Sequence, residues 1–263
     1  MRSLTALALP AFALSAAMLP AAAQVAAPAP AVASQPPGLP ETPAAMRVLQ
    51  PFVASYRVFH AGRELGTATL EVVPLQAPRW RVDLAMQGQG VMRLTGLNAQ
   101  QSTLFEIDGS AFRPLTQATV RRMFLSRHET VGTYDWATRS ARWSGDVKPG
   151  RAGPVALQEG DMSGLLIDLA VIRDAAPGRM LHYRFVDDGR TRDHVWRVAP
   201  QAETVDIGGI SYDALRADRV EDGGDETILW VAPGVPTPIR ILQREDGADS
   251  TDLRLVEYKG ATS

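Results

Sequence analysis

The chain has no cysteine and only four histidines among its 263 residues. Without cysteine there is no disulfide, no thiol nucleophile and no lipidated N-terminal cysteine. The histidines, His60, His128, His182 and His194, are isolated from one another, and each reads as a surface or turn residue rather than a metal ligand. His128-Glu129 begins the string HETVG, but no second histidine completes the zinc-binding helix motif. Asp108-Gly109-Ser110 and Trp143-Ser144-Gly145 are the nearest approaches to a nucleophile elbow, and both lie at turns without the flanking glycines. EGDMSGLL has too few glycines and no lysine for a phosphate loop. No triad, metal site or cofactor motif can be assembled, so a non-enzymatic protein without cofactor is expected.

Charge of one sign is also lacking. Lys plus Arg number 27 against 29 Asp plus Glu, a formal net charge of −2, which gives no electrostatic reason to expect nucleic acid as a partner.

Long apolar runs are confined to the N-terminus. In MRSLTALALPAFALSAAMLPAAAQ, Arg2 precedes an apolar run from Leu4 to Leu19, followed by Ala21, Ala22 and Ala23. This is the pattern of a secretory signal peptide over residues 1–23, with cleavage expected before Gln24. Pro10 interrupts the run, which weighs against a membrane span, and no later stretch is long enough for one. Residues 24–50 are rich in Ala and Pro and carry no apolar periodicity, so a disordered linker is expected there. Residues 51–259 then form one domain of the mature protein, expected in the periplasm with no transmembrane segment.

That domain alternates apolar and polar residues almost throughout, and predicts a mainly β fold built as an antiparallel meander. SYRVFHAGRELGTATLEVVP reads as a hairpin turning at His60 to Arg63, and RWRVDLAMQ (79–87) and QQSTLFEI (100–107) as the next strands. A two-residue loop at Asp108-Gly109 sets Phe105 opposite Phe112. In TYDWATRSARWSG, a turn centred on Thr138-Arg139 sets Asp135 opposite Arg142 and Tyr134 opposite Trp143.

In LHYRFVDDGRTRDHVWRV, a loop at Asp188-Gly189 sets Arg184 opposite Asp193 and Leu181 opposite Trp196, whereas a three-residue loop would oppose Arg184 to Arg192. Like charges directly opposite are destabilising, so the former is expected. It sends His182 and His194 to opposite faces and disfavours a two-histidine metal site. Strands follow at 203–207, 210–220, 226–232, 238–244 and 251–258.

DMSGLLIDLAVI is the one convincing helix, over about 161–174. Asp161 is placed as its N-cap, and Met162, Leu165, Leu166, Leu169 and Ile172 form an apolar stripe with Asp168 as the main polar interruption. A helix this apolar is expected to plug a long curved antiparallel sheet, an open barrel or β-spiral wrapped around it. Leu165, Leu166 and Leu169, together with Trp136 and Trp143, are then the candidates for core packing or for lining a ligand cavity. Acidic pairs fall at turns, where Asp and Gly serve the backbone; DGGDE (222–226) could offer oxygen ligands to calcium but lacks the spacing of an EF-hand.

YRVFHAGRELGTATLEV, YDWATRSARW, GDMSGLLIDLAVIR and ILWVAPGVPTPIRILQREDGADSTDLRLVEYKG resemble DUF3108, a family of exported bacterial proteins of unassigned function, over residues 51–259. The start of the helix departs slightly, with Ser163-Gly164 where the family more usually has Leu-Ser. The resemblance implies a layout similar to periplasmic β-spiral and lipoprotein-carrier folds. The expectation is a periplasmic, non-enzymatic envelope protein that handles an apolar ligand, lipid or lipoprotein. The alternative is an interaction module that binds another envelope protein at an exposed strand edge, with an uncharacterised enzyme third.

Overall fold

A computed structural model describes residues 49–89, 98–123, 126–220 and 225–260. The expected leader, the linker up to residue 48 and residues 221–224 around the DGGDE loop lie outside the described residues.

Among the described residues, sixteen strands and one helix follow in order: β1 (Phe52–His60), β2 (Arg63–Pro74), β3 (Arg79–Gly88), β4 (Asn98–Asp108), β5 (Ala111–Met123), β6 (Ser126–Asp135), β7 (Ser140–Gly145), β8 (Val155–Ala156), β9 (Asp161–Met162), α1 (Gly164–Asp174), β10 (Met180–Asp187), β11 (Arg190–Val198), β12 (Glu203–Ile207), β13 (Ile210–Val220), β14 (Glu226–Val231), β15 (Arg240–Glu245) and β16 (Ala248–Gly260). The strand order is β8-β7-β6-β5-β4-β3-β2-β1-β16-β15-β14-β13-β11-β10-β9, with β12 paired to β13 on the side. Its two ends, β8 and β9, are neighbours in the chain, yet no ladder joins them. The sheet is therefore open and barrel-like rather than closed. Every pairing is antiparallel except β9 with β10, as the alternating pattern and short connections require.

Strand alternation buries one face. Phe52, Ala54, Tyr56 and Val58 of β1 join Leu70, Val72, Val82, Phe105, Trp196, Leu229, Leu242 and Leu253 in one core. The same core takes in Leu165, Leu166, Ile167, Leu169, Ala170, Val171 and Ile172 of α1. The helix packs on β10 and also touches β3, β4 and β5. A second, smaller cluster of Tyr134, Ala141, Trp143, Leu157 and Val186 lies where β6 and β7 approach β10.

Several turns match expectation. His60 pairs with Arg63 across Ala61-Gly62, and Arg184 faces Asp193 while Leu181 faces Trp196. Asp188 and Gly189 both have positive φ, 48° and 65°, as a two-residue turn of mirror-image geometry demands. His182 faces Val195 and His194 faces Tyr183, so the histidines do occupy opposite faces.

Two hairpins differ from expectation, each by a shift of two. Asp108 pairs with Ala111 and Phe105 with Pro114, so the loop is Gly109-Ser110 and Phe105 is not opposite Phe112. Gly109 takes φ of +60° at the first loop position, the other favoured two-residue turn. In the second hairpin Asp135 pairs with Ser140 and Tyr134 with Ala141, not with Arg142 and Trp143. The Asp135 carboxylate accepts the amides of Ala137 and Thr138 at 2.9 and 3.1 Å, holding a longer loop that a charge pair across the strands would not. A shift of two preserves which face each side chain uses, so both aromatic pairs still meet edge to face, with centroids 5.5 and 5.6 Å apart.

The helix also begins later than expected. Gly164 is its first residue and Ser163 its N-cap, so Asp161 does not cap it. Asp161 lies in β9 instead, fully buried, with both carboxylate oxygens 2.5 Å from the Arg184 guanidinium and a further bond from the Gln158 amide at 2.8 Å. The guanidinium on the neighbouring strand is a stronger partner for that carboxylate than the helix amides two residues away.

Candidate functional site

The helix terminus is met by a different carboxylate. Asp187, the last residue of β10, lies on the same strand face as Tyr183 and Phe185, which pack against the core. It accepts the backbone amides of Gly164 and Asp188 and the side-chain amide of Gln117. Burial nonetheless pushes its carboxyl up to about 6, the three hydrogen bonds opposing. The hydroxyl of the N-cap Ser163 makes no capping bond and instead exchanges a hydrogen bond with Thr103 at 3.0 Å, tying the start of α1 to β4.

Beside Asp187 opens a cleft of about 480 Å³. Register explains its floor. Gln101, Thr119 and Thr130 stand opposite one another on β4, β5 and β6, and Arg121 stands opposite His128 in the next row. One row deeper, Thr103, Gln117, Gly132 and Trp143 face each other. Gly132 is required there, because an added Cβ would come within 2.6 Å of the Trp143 indole nitrogen. Thus a face that carries Phe105, Phe112 and Tyr134 farther along turns polar at this end. Phe185, Gly164, Asp188, Arg190, Asp146 and Lys148 complete the walls.

Asp188 bonds Arg151 at 2.8 Å and Arg190 at 3.4 Å, and the Arg190 Nε is buried without a hydrogen-bond partner among the described residues. Burial, followed by the nearby charges of Arg151 and Arg192, lowers the affinity of Arg190 for its proton.

The residues singled out from sequence are not gathered in this cleft. Leu165, Leu166 and Leu169 are buried in the main core. Trp143 is buried in the smaller cluster, with its indole nitrogen 3.4 Å from Gln117 Oε1. Trp136 is half-buried, donates to the Pro114 carbonyl at 2.7 Å, and lies beneath the Arg113 guanidinium. Leu169 and Ile172 border an apolar recess of only about 70 Å³, with Leu49, Phe112 and Val235. Gln101, Gln117 and Thr119 belong to no motif in the sequence, and Asp187 reads there only as half of the acidic pair Asp187-Asp188 at a turn.

Asp168 interrupts the apolar surface of α1. Burial pushes its carboxyl up to about 7, with the charge of Arg219 opposing. Because this lies above the ordinary value near 3.8, the contribution to stability is fully present below about pH 4 and is lost as pH rises through 7. Urea unfolding of the wild type should therefore show a loss of up to about 4 kcal/mol between pH 4 and pH 8 from this group. Asp168→Asn should flatten that part of the profile; the same slope in both proteins would show that the carboxyl is solvated when folded.

An open, barrel-like β domain with an apolar core and a polar cleft at one end is the class of protein these features define. The chain belongs to DUF3108, a family described as protein of unknown function, whose model matches residues 54–254. Among solved structures it is similar to a beta-barrel-like protein of the domain of unknown function DUF1849 from Brucella abortus. Identity is 13% and the TM-score 0.50, covering 81% of this chain and 99% of that one. No curated protein matches.

Proposed function

We propose that the protein is a non-catalytic interaction module of the cell envelope, exported by residues 1–23 and working in the periplasm. In this reading the sheet curls around α1, whose apolar side chains fill the interior, and a partner docks as an extended segment at the unpaired edge of β10. The free edge is the observation that carries it. The Val198 amide bonds the Arg179 carbonyl, so the odd-numbered residues of β10 bond β11, and the even-numbered ones point the other way. On that side Arg184 is met by β9 and the Val186 carbonyl by the Tyr134 hydroxyl at 2.7 Å. Met180 and His182 have no strand beside them among the described residues. His182 lines a cleft of about 530 Å³ together with Phe112 and Met162. A strand edge left open in this way is a template for adding a peptide strand.

Carriage of an apolar ligand or lipid draws less support. Ligand pockets usually span about 300–1,000 Å³, against about 70 Å³ for the apolar recess.

Proline at His182 tests the edge, since it removes an amide on the unpaired side while leaving the ladder to β11 intact. A photo-crosslinker at Met180, in cells, should capture an envelope protein, and His182→Pro should abolish that adduct without shifting thermal unfolding. Capture that persists in the proline variant would sink the reading.

A further inference from the structure

We propose that the polar cleft at the N-terminal end of α1 binds a sugar bearing one anionic group. This site is separate from the β10 edge: it lies at the Asp187 end of that strand, while the edge lies at Met180 and His182. Its size, about 480 Å³, is within the range of small-ligand sites.

The first argument is the break in patterning. Gln101, Thr119, Thr130, Arg121 and His128 occupy strand positions that point the same way as the buried Thr103, Phe105, Gln117 and Tyr134. Arg121 and His128 are exposed at the rim, whereas Gln101, Thr119 and Thr130 are half-buried and neither contribute apolar packing nor gain the full hydration of the outer face. Such local violations are expected where a surface is kept for a ligand.

The second is the inventory of bonding groups. The Gln101 amide and the hydroxyls of Thr119 and Thr130 can each donate and accept, and Asp187 and Asp188 add acceptors. Sugar hydroxyls also donate and accept, so this mixture suits them better than it suits a purely anionic or purely apolar ligand.

The third is charge. Arg121, Lys148, Arg190 and the adjacent Arg151 stand against Asp146, Asp187 and Asp188. Arg121 and Lys148 make no ion pair among the described residues, and Arg190 must share Asp188 with Arg151 while its Nε goes unmet. One carboxylate or phosphate would complete that set with charge-assisted bonds.

The test is a titration of the full mature chain with glucuronic acid, glucose 1-phosphate, glucose and inorganic phosphate, followed by backbone amide NMR shifts. Saturable shifts at Gln101, Gly164 and Arg190 are expected with one or both charged sugars, at least about tenfold tighter than with glucose or phosphate. The two charged sugars distinguish a carboxylate from a phosphate as the anionic group. Arg190→Gln should weaken binding roughly tenfold or more, the loss of a hydrogen bond to a charged group. Thr119→Ala and Arg121→Gln, at less enclosed positions, should weaken it too and guard against a folding defect in the first variant. His182→Pro should leave it unchanged, which separates this site from the docking edge. No saturable shift with any probe, equal binding of all four, or binding that the three cleft variants leave intact would overturn the proposal.

Discussion

Arg184→Ala is expected to destabilise the protein by about 3–5 kcal/mol, read from urea unfolding at neutral pH. Asp161 is fully buried and Arg184 a quarter exposed, so the mutation strands the partner that has no access to water. What remains for the carboxylate is the single amide of Gln158. Asp161→Leu combined with Arg184→Leu should cost far less, because it removes the charge together with its partner. A loss under about 1 kcal/mol for Arg184→Ala would mean that water reaches Asp161 and that the seam between β9 and β10 is looser than its geometry implies.

That pair also shows where sequence reasoning reached its limit. The register of β10 and β11 was legible because opposite charges and a two-residue turn agreed, and Arg184 does face Asp193. Yet its ion pair is with Asp161, from a strand only two residues long that alternation could not reveal. Strands at Glu203–Ile207 and Ile210–Val220 fell where local periodicity put them, since that signal needs no tertiary context. The two displaced hairpins depended on choosing among loops of similar merit, and a side chain folding back on its own turn, as Asp135 does, tipped the balance.

Asp187 could have been found. Leu181 faces inward against Trp196, and counting by twos along the strand puts Asp187 on that same face, leaving the turn to Asp188 and Gly189. The polar rows of the cleft were not accessible in this way. Gln101, Thr119 and Thr130 are unremarkable within their own strands and form a surface only once two registers are known, one of which shifts at a bulge between Leu104 and Phe105.

Leu166→Ala should cost toward the upper end of the roughly 2–5 kcal/mol seen when a buried leucine is truncated, because Leu166 is enclosed on all sides by the main core. Leu169→Ala should cost less, since Leu169 borders the apolar recess and already lacks neighbours on one side. The same truncation enlarges that recess from about 70 Å³, toward the ~150 Å³ at which an engineered apolar cavity takes up benzene. Benzene binding is therefore expected for Leu169→Ala and not for the wild type, measured by the rise in unfolding temperature at saturating benzene. The comparison also decides between the two binding readings. If Leu166→Ala is nearly silent and the wild type takes up a fatty acid, α1 lines a compartment that opens in solution, and apolar-ligand carriage regains the ground that the filled core concedes to the β10 edge.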